Sequence, residues 1–147
     1  MLTGLTIQVL LLPGPRPVGP VTLDIHTLLY GGAMILVGFQ AVSFAVFSKI
    51  FASTRGLLPP SPRQEVLFRA VTLETGLGVG AVLLAGGLAG AVYSVRSWIG
   101  MGLGAYDPVA AMRVVIPSVV LLALGTQVVL SSFFLSLLGM GSRDHRT

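Results

Sequence analysis

Three long apolar stretches limit what this 147-residue sequence can fold into. They cover residues 28–51, 73–95 and 114–140, and Lys49 and Glu74 are their only charged residues. An α-helix needs about 20 mainly apolar residues to cross a hydrocarbon layer about 30 Å thick. The sequence therefore predicts an all-α integral membrane protein, a single module with three transmembrane helices.

The composition supports this class of protein. Only 10% of the residues are charged and 54% are hydrophobic, and the mean hydropathy is +0.92. The absence of cysteine excludes disulfides, thiolate metal sites and cysteine nucleophiles. The net charge of +4 comes from scattered Lys and Arg rather than from a basic tract, so we expect no nucleic-acid partner.

The segments between the apolar stretches receive separate interpretations. Residues 1–12 are apolar but too few to cross a membrane, and the prolines that follow end any helix. We interpret residues 1–12 as the remnant of a helix whose beginning is missing. Residues 52–72 form a connector whose apolar spacing predicts a short helix in the headgroup layer. Residues 96–113 are predicted to form an outer loop, and Pro117 is expected in the first turn of the last span.

The positive charges predict the orientation of the spans. Lys and Arg accumulate on the cytoplasmic side of membrane proteins. One side of the predicted spans would hold Lys49, Arg55, Arg63, Arg69, Arg143 and Arg146. The other side would hold Arg16, Arg96 and Arg113. We therefore expect a multi-pass protein of the inner (plasma) membrane, with the connector and the C-terminus in the cytoplasm.

The second span carries glycines at helix-packing spacing. Gly76 with Gly80, and Gly86 with Gly90, are each four residues apart. Small residues at this spacing let helix backbones approach closely in a membrane. We expect this face to meet another helix, either within the chain or in a second copy, so the sequence leaves a homo-oligomer open.

Several polar residues lie inside the predicted spans. Gln40, Gln127 and Ser131 would be costly there without partners, which predicts either a contact between the first and third spans or a polar groove for a lipid phosphate. Glu74 lies near the start of the second span, where a helix favours an acid. An ionisable residue in a span also suggests function, and both interpretations stay open.

The stretch LDIHT before the first span contains Asp24 and His26. One carboxylate and one imidazole fall short of the three or four ligands of a metal site, so we predict no metal there. The alternatives are a helix cap formed by Asp24 or Thr27 and an outer polar cluster with Arg96, Asp107 or Arg113. The sequence has no P-loop and no GxSxG motif, and we identify no catalytic residue.

The sequence contains a set of short motifs in the order LDIHTLLYG, GFQ, GLLPPSP, TLETGL, YDP and RVVIPSVVLLALGTQVVLSSFFLSLLG. Together these motifs resemble the C-terminal membrane region of bacterial family 2 glycosyltransferases, in particular dolichyl-phosphate sugar synthases. The resemblance covers roughly residues 20–140.

The resemblance implies a cytoplasmic α/β catalytic domain that transfers a sugar from a nucleotide donor to polyprenyl phosphate with a divalent metal, in cell-envelope synthesis. That domain is absent from this sequence, so we expect no cofactor in this chain and a catalytic partner in cis or in trans. The module would be an anchor in the lipid bilayer that helps to present the acceptor. We expect Arg55, Arg63 and Arg69 to contact the acceptor phosphate or lipid headgroups.

Two alternatives remain. One is a stand-alone membrane scaffold or assembly protein that oligomerises through the glycines of the second span. The other is a transporter, which the scarcity of charge inside the spans disfavours.

Overall fold

The computed structural model describes residues 1–54, 73–102 and 107–141, most of which are helical. The helices are α1 (Leu2–Leu11), α2 (Ile25–Thr54), α3 (Leu73–Gly100) and α4 (Pro108–Gly141). Two short antiparallel strands, β1 (Arg16–Val18) and β2 (Val21–Leu23), join α1 to α2. Because α2, α3 and α4 are long and apolar enough to cross a membrane, the predicted all-α fold with three long spans is confirmed.

The β-hairpin explains how the proline-rich stretch after α1 is accommodated. Proline prevents the helix from continuing, and the chain instead turns at Gly19 and Pro20 between paired residues Val18 and Val21. Gly19 has a φ of 60°, a conformation that glycine adopts without steric cost. The prolines predict the break in the helix, whereas the hairpin was not predicted from the sequence.

The two ends of the bundle are named by what lies there. The hairpin end contains the starts of α2 and α4, because Asp24 and Arg113 meet there. The connector end contains the second half of α2 and the start of α3, because Phe47 and Thr75 line the same cleft. The three long helices therefore alternate in direction, as consecutive membrane crossings do.

The helices extend beyond the predicted spans. α3 continues to Gly100 and α4 begins at Pro108, so much of the predicted 96–113 loop is helical. The thickness of the hydrocarbon layer limits the length of the apolar run. The helix itself can continue into the headgroup region, because its backbone hydrogen bonds do not depend on apolar side chains. The predicted helix of the connector falls within residues 55–72, outside the described residues.

The start of α4 is set by an aspartate followed by a proline. The Asp107 carboxylate accepts a hydrogen bond of 3.0 Å from the backbone N–H of Val109, and Pro108 occupies the first helical position, where its missing N–H matters least. Pro117 consequently lies inside α4 rather than in its first turn, which corrects the expectation from sequence. It cannot donate to the carbonyl of Arg113, four residues earlier.

Helix α4 packs against both other long helices. Its most extensive contact is with α3, it also packs on α2, and α1 packs on α2. Near the hairpin end, Leu11, Leu28 and Ile116 form a buried cluster that joins α1, α2 and α4. Many large apolar side chains on the outer surface are exposed, as expected for helices that face lipid.

Candidate functional site

A charged clasp joins three helices at the hairpin end. The Arg113 guanidinium on α4 pairs with the Asp24 carboxylate at the start of α2. Its second nitrogen donates a hydrogen bond of 2.7 Å to the carbonyl of Leu11 at the end of α1. The guanidinium thus combines an ion pair with a bond to the carbonyl end of a helix, where positive charge is favoured.

The predicted outer polar cluster is only partly assembled. Asp24 is engaged by Arg113, whereas the side chain of His26 is exposed. Asp107 is also exposed, and its carboxylate caps α4 rather than joining the clasp. Among the described residues, no group of three or more His, Cys, Asp or Glu side chains could hold a metal ion.

A second buried polar contact at this end was missed from the sequence. The Gln8 amide on α1 donates a hydrogen bond of 3.2 Å to the carbonyl of Leu28. A methyl group on Gly32 would lie only 3.0 Å from the Gln8 nitrogen. Gly32 therefore provides the space that this amide occupies, and the only signal in the sequence is a glutamine within a short apolar helix.

The glycines of α3 pack mainly against α4. Gly76 and Gly90 lie against the side chains of Ser132 and Ser118. A methyl group on Gly80 would lie 3.1 Å from the carbonyl oxygen of Gly125. The hydroxyls of Ser118 and Ser132 donate to carbonyls one turn earlier in α4, so these buried serines are satisfied within their own helix.

Gly86 lies outside this close contact. It is exposed, and a methyl group there would have its nearest neighbour, a Leu121 methyl, at 3.8 Å. Gly87 instead faces α4, where a methyl group would lie 2.8 Å from the carbonyl oxygen of Ser118. The spacing in the sequence indicated a packing face on this helix but did not distinguish Gly86 from Gly87.

The predicted amides of the first and third spans meet at mid-span. Gln127 on α4 donates a hydrogen bond of 3.2 Å to Oε1 of Gln40 on α2. Closer to the connector end, the rings of Phe47 and Phe134 meet edge to face with their centroids 4.8 Å apart. These contacts join α2 to α4 in the half of the bundle away from the clasp.

Two clefts flank this contact. The first, of about 280 Å³, lies between α2, α3 and α4 near the connector end and is almost entirely apolar. Its walls include Val46, Val79 and Leu135. The second, of about 420 Å³, lies between α2 and α4 and includes Gln40 and Gln127. Ser131 lines both clefts.

The charged candidates at the connector end are only partly described. Glu74 is exposed in the first turn of α3, a position where the helix dipole favours an acid. Arg55, Arg63 and Arg69 lie outside the described residues. Their predicted contact with headgroups or phosphate stays a prediction.

These features define a multi-pass membrane protein built around α4. Residues 46–139 match the family described as Glycosyltransferase family 2 C-terminal transmembrane region. The chain belongs to this family and is a membrane region of the glycosyltransferase type. The match extends from the second half of α2 to the end of α4, so it includes the glycine interface and both Phe47 and Gln127.

The chain is also similar to a protein named as a hexosyltransferase. The chain is 34% identical over 123 residues to the low-salt glycan biosynthesis hexosyltransferase Agl6 of Haloferax volcanii. The aligned part covers 83% of this chain and 29% of that relative, so the chain spans less than a third of the relative's length. No solved structure gives a significant match.

Proposed function

We propose that this chain is the membrane module of a glycosyltransferase that transfers a sugar from a nucleotide donor to polyprenyl phosphate. The family match and the similarity to a hexosyltransferase support a role in glycosyl transfer. In this proposal the chain anchors a catalytic domain, in cis or in trans, and holds the lipid acceptor beside it. The divalent metal would act in that domain, in cell-envelope synthesis.

The observation that most directly supports acceptor binding is the apolar cleft between α2, α3 and α4. Its position near the connector end would put a bound hydrocarbon chain inside the bilayer and a phosphate near the connector. Apolar side chains such as Val46 and Leu135 suit an isoprenoid chain, which has no hydrogen-bonding groups to satisfy. Arg55, Arg63 and Arg69 are proposed to attract the phosphate from the connector.

We propose that the chain lies in the inner (plasma) membrane. The distribution of Lys and Arg supports an orientation with the connector and the C-terminus in the cytoplasm. A nucleotide donor is available on that side, so the acceptor phosphate and the donor would meet there. We also propose that the chain forms a homo-oligomer.

The test fills the cleft and measures acceptor use. Val79 lines the cleft, so Val79→Phe should raise KM for polyprenyl phosphate about tenfold in the enzyme containing its catalytic domain, since lost acceptor binding of about 1.4 kcal/mol corresponds to that factor. KM for the nucleotide sugar should stay unchanged. The measurement is steady-state transfer in liposomes with each substrate varied in turn.

Val82→Phe is the matched control. Val82 lies on the same helix with 73% of its surface exposed, and the same substitution there should leave both KM values unchanged. Equal acceptor KM for the two variants, with both proteins folded, would contradict acceptor binding in this cleft. A change in donor KM alone would place the effect in the catalytic domain.

A further inference from the structure

Gln40 presents an amide to the membrane at the middle of α2. Its oxygen accepts one hydrogen bond from Gln127, but its side chain is exposed. Within the described residues its two N–H groups have no acceptor, and Oε1 of Gln127 is buried without a partner. The Gln40–Gln127 pair therefore leaves N–H groups and an amide oxygen without hydrogen bonds beside a helix face that is otherwise suited to contact with lipid.

Amide groups without hydrogen bonds are energetically unfavourable inside a bilayer. Transfer of an amide from water to an apolar medium is strongly unfavourable unless a hydrogen bond compensates for the lost water contacts. The residues on the same face one turn away are apolar and exposed, Val37 on one side and Phe44 on the other. An amide whose N–H groups have no acceptor within such a face indicates a further polar partner at that depth.

The close-packing faces of α1 and α3 already contact other helices of the same chain. Helix α1 contacts α2 through Gly31 and Ile35, since a methyl group on Gly4 would meet both. Helix α3 uses its close-packing glycines on α4. The self-association expected through those glycines therefore loses most of its surface, and another face must serve if the chain forms an oligomer.

We propose that α2 packs against α2 of a second copy of this chain, with Gln40 at the contact. An amide contains both donor and acceptor, so it is complementary to an identical amide across a twofold axis. Each Gln40 oxygen would keep its bond from Gln127 and accept a second from the partner's Gln40. The cleft of about 420 Å³ beside it, which Phe44 and Leu130 line, provides a concave surface for side chains of the second copy.

The contact between copies is independent of the proposed role in glycosyl transfer, because it depends only on the α2 face and the amide pair. Hydrogen bonds between polar side chains and close van der Waals packing drive helix association in membranes. Val37, Gln40 and Phe44 together supply both. The partner is therefore a second copy, and a hydroxyl-bearing lipid is the competing occupant that the experiment must distinguish.

Disulfide crosslinking in liposomes tests the surface, and the chain has no native cysteine to interfere. Phe44→Cys should give a crosslinked dimer on mild oxidation, whereas Val82→Cys on α3 should give only collisional background. Both positions are highly exposed, at 72% and 73%. Crosslinking of Phe44→Cys no stronger than that of Val82→Cys would overturn the proposal and leave lipid as the occupant.

A pair of amide variants separates the contact between copies from the fold. Gln40→Leu and Gln127→Leu remove the same internal hydrogen bond, but only Gln40→Leu removes the amide facing the second copy. In the Phe44→Cys background, Gln40→Leu should lower the dimer association constant about tenfold, as a loss of about 1.4 kcal/mol would. Gln127→Leu should retain it. Equal losses in both variants would overturn the role of Gln40 between copies.

Discussion

Arg113 and Asp24, which are 89 residues apart in the sequence, form an ion pair that fixes the start of α2 to α4. Only 16% of the Arg113 side chain and 32% of the Asp24 side chain are exposed. Solvent therefore screens the pair less than it screens a surface pair. Because Arg113 also bonds to the carbonyl of Leu11, one side chain secures α1, α2 and α4 together.

Arg113→Gln should destabilise the fold more than Asp24→Asn. The first change removes the charged donor from both of its partners, the Asp24 carboxylate and the Leu11 carbonyl, whereas the second leaves Arg113 bonded to the Leu11 carbonyl. A hydrogen bond that involves a charged group contributes about 1.5–3 kcal/mol, so we expect Arg113→Gln to cost about 2 kcal/mol. The measurement is the free energy of unfolding in detergent micelles, with the double variant included to obtain the coupling energy.

Arg96→Gln is the control for that series. Arg96 lies toward the same end of the bundle but is exposed on α3, so its loss should change the free energy of unfolding by less than about 0.5 kcal/mol. Equal effects of Arg96→Gln and Arg113→Gln would show that general charge loss matters, not the clasp.

The clasp illustrates what the sequence could and could not predict. Three crossings were predictable because hydropathy is a local property of about 20 residues. The sequence also placed Asp24 and Arg113 at the same membrane face, but which arginine meets Asp24 depends on helix rotation. That rotation is set by packing around Leu11, Leu28 and Ile116, which come from three separate segments.

Gly125→Ala should disrupt the contact between α3 and α4. A methyl group on Gly125 would lie 2.9 Å from the carbonyl oxygen of Gly80 and 2.9 Å from the backbone nitrogen of Leu84. Backbone atoms cannot rotate away as a side chain can, so the helices must separate. Overpacking of this kind typically costs about 1–3 kcal/mol, and the loss should appear as a lower midpoint of thermal unfolding in detergent.

Gly78→Ala is the matched control on α3. Nothing lies within 4 Å of a methyl group placed there. The substitution should leave stability unchanged or raise it slightly, because alanine loses less conformational entropy in a helix than glycine. A loss as large as that of Gly125→Ala would contradict the close approach of α3 and α4.

The glycine face shows a second limit of sequence reasoning. The four-residue spacing predicted a packing face on α3, and in the structure Gly76, Gly80 and Gly90 lie against α4. Spacing alone could not distinguish Gly86 from Gly87, which point about 100° apart on a helix. It also could not identify Gly125, because no second glycine lies four residues from it in α4.

Cysteine labelling will test the proposed orientation of the bundle. Met101 is exposed after the end of α3 at the hairpin end, and Glu74 is exposed in the first turn of α3 at the connector end. Because the chain lacks cysteine, Met101→Cys and Glu74→Cys each introduce a single label site. In intact cells, a membrane-impermeant maleimide should label Met101→Cys, and Glu74→Cys should react only after the membrane is opened. The six Lys and Arg residues assigned to the connector side predict this result. The reverse labelling pattern would contradict the proposed orientation, because the connector and its three candidate arginines would then lie on the side of the membrane opposite the nucleotide donor.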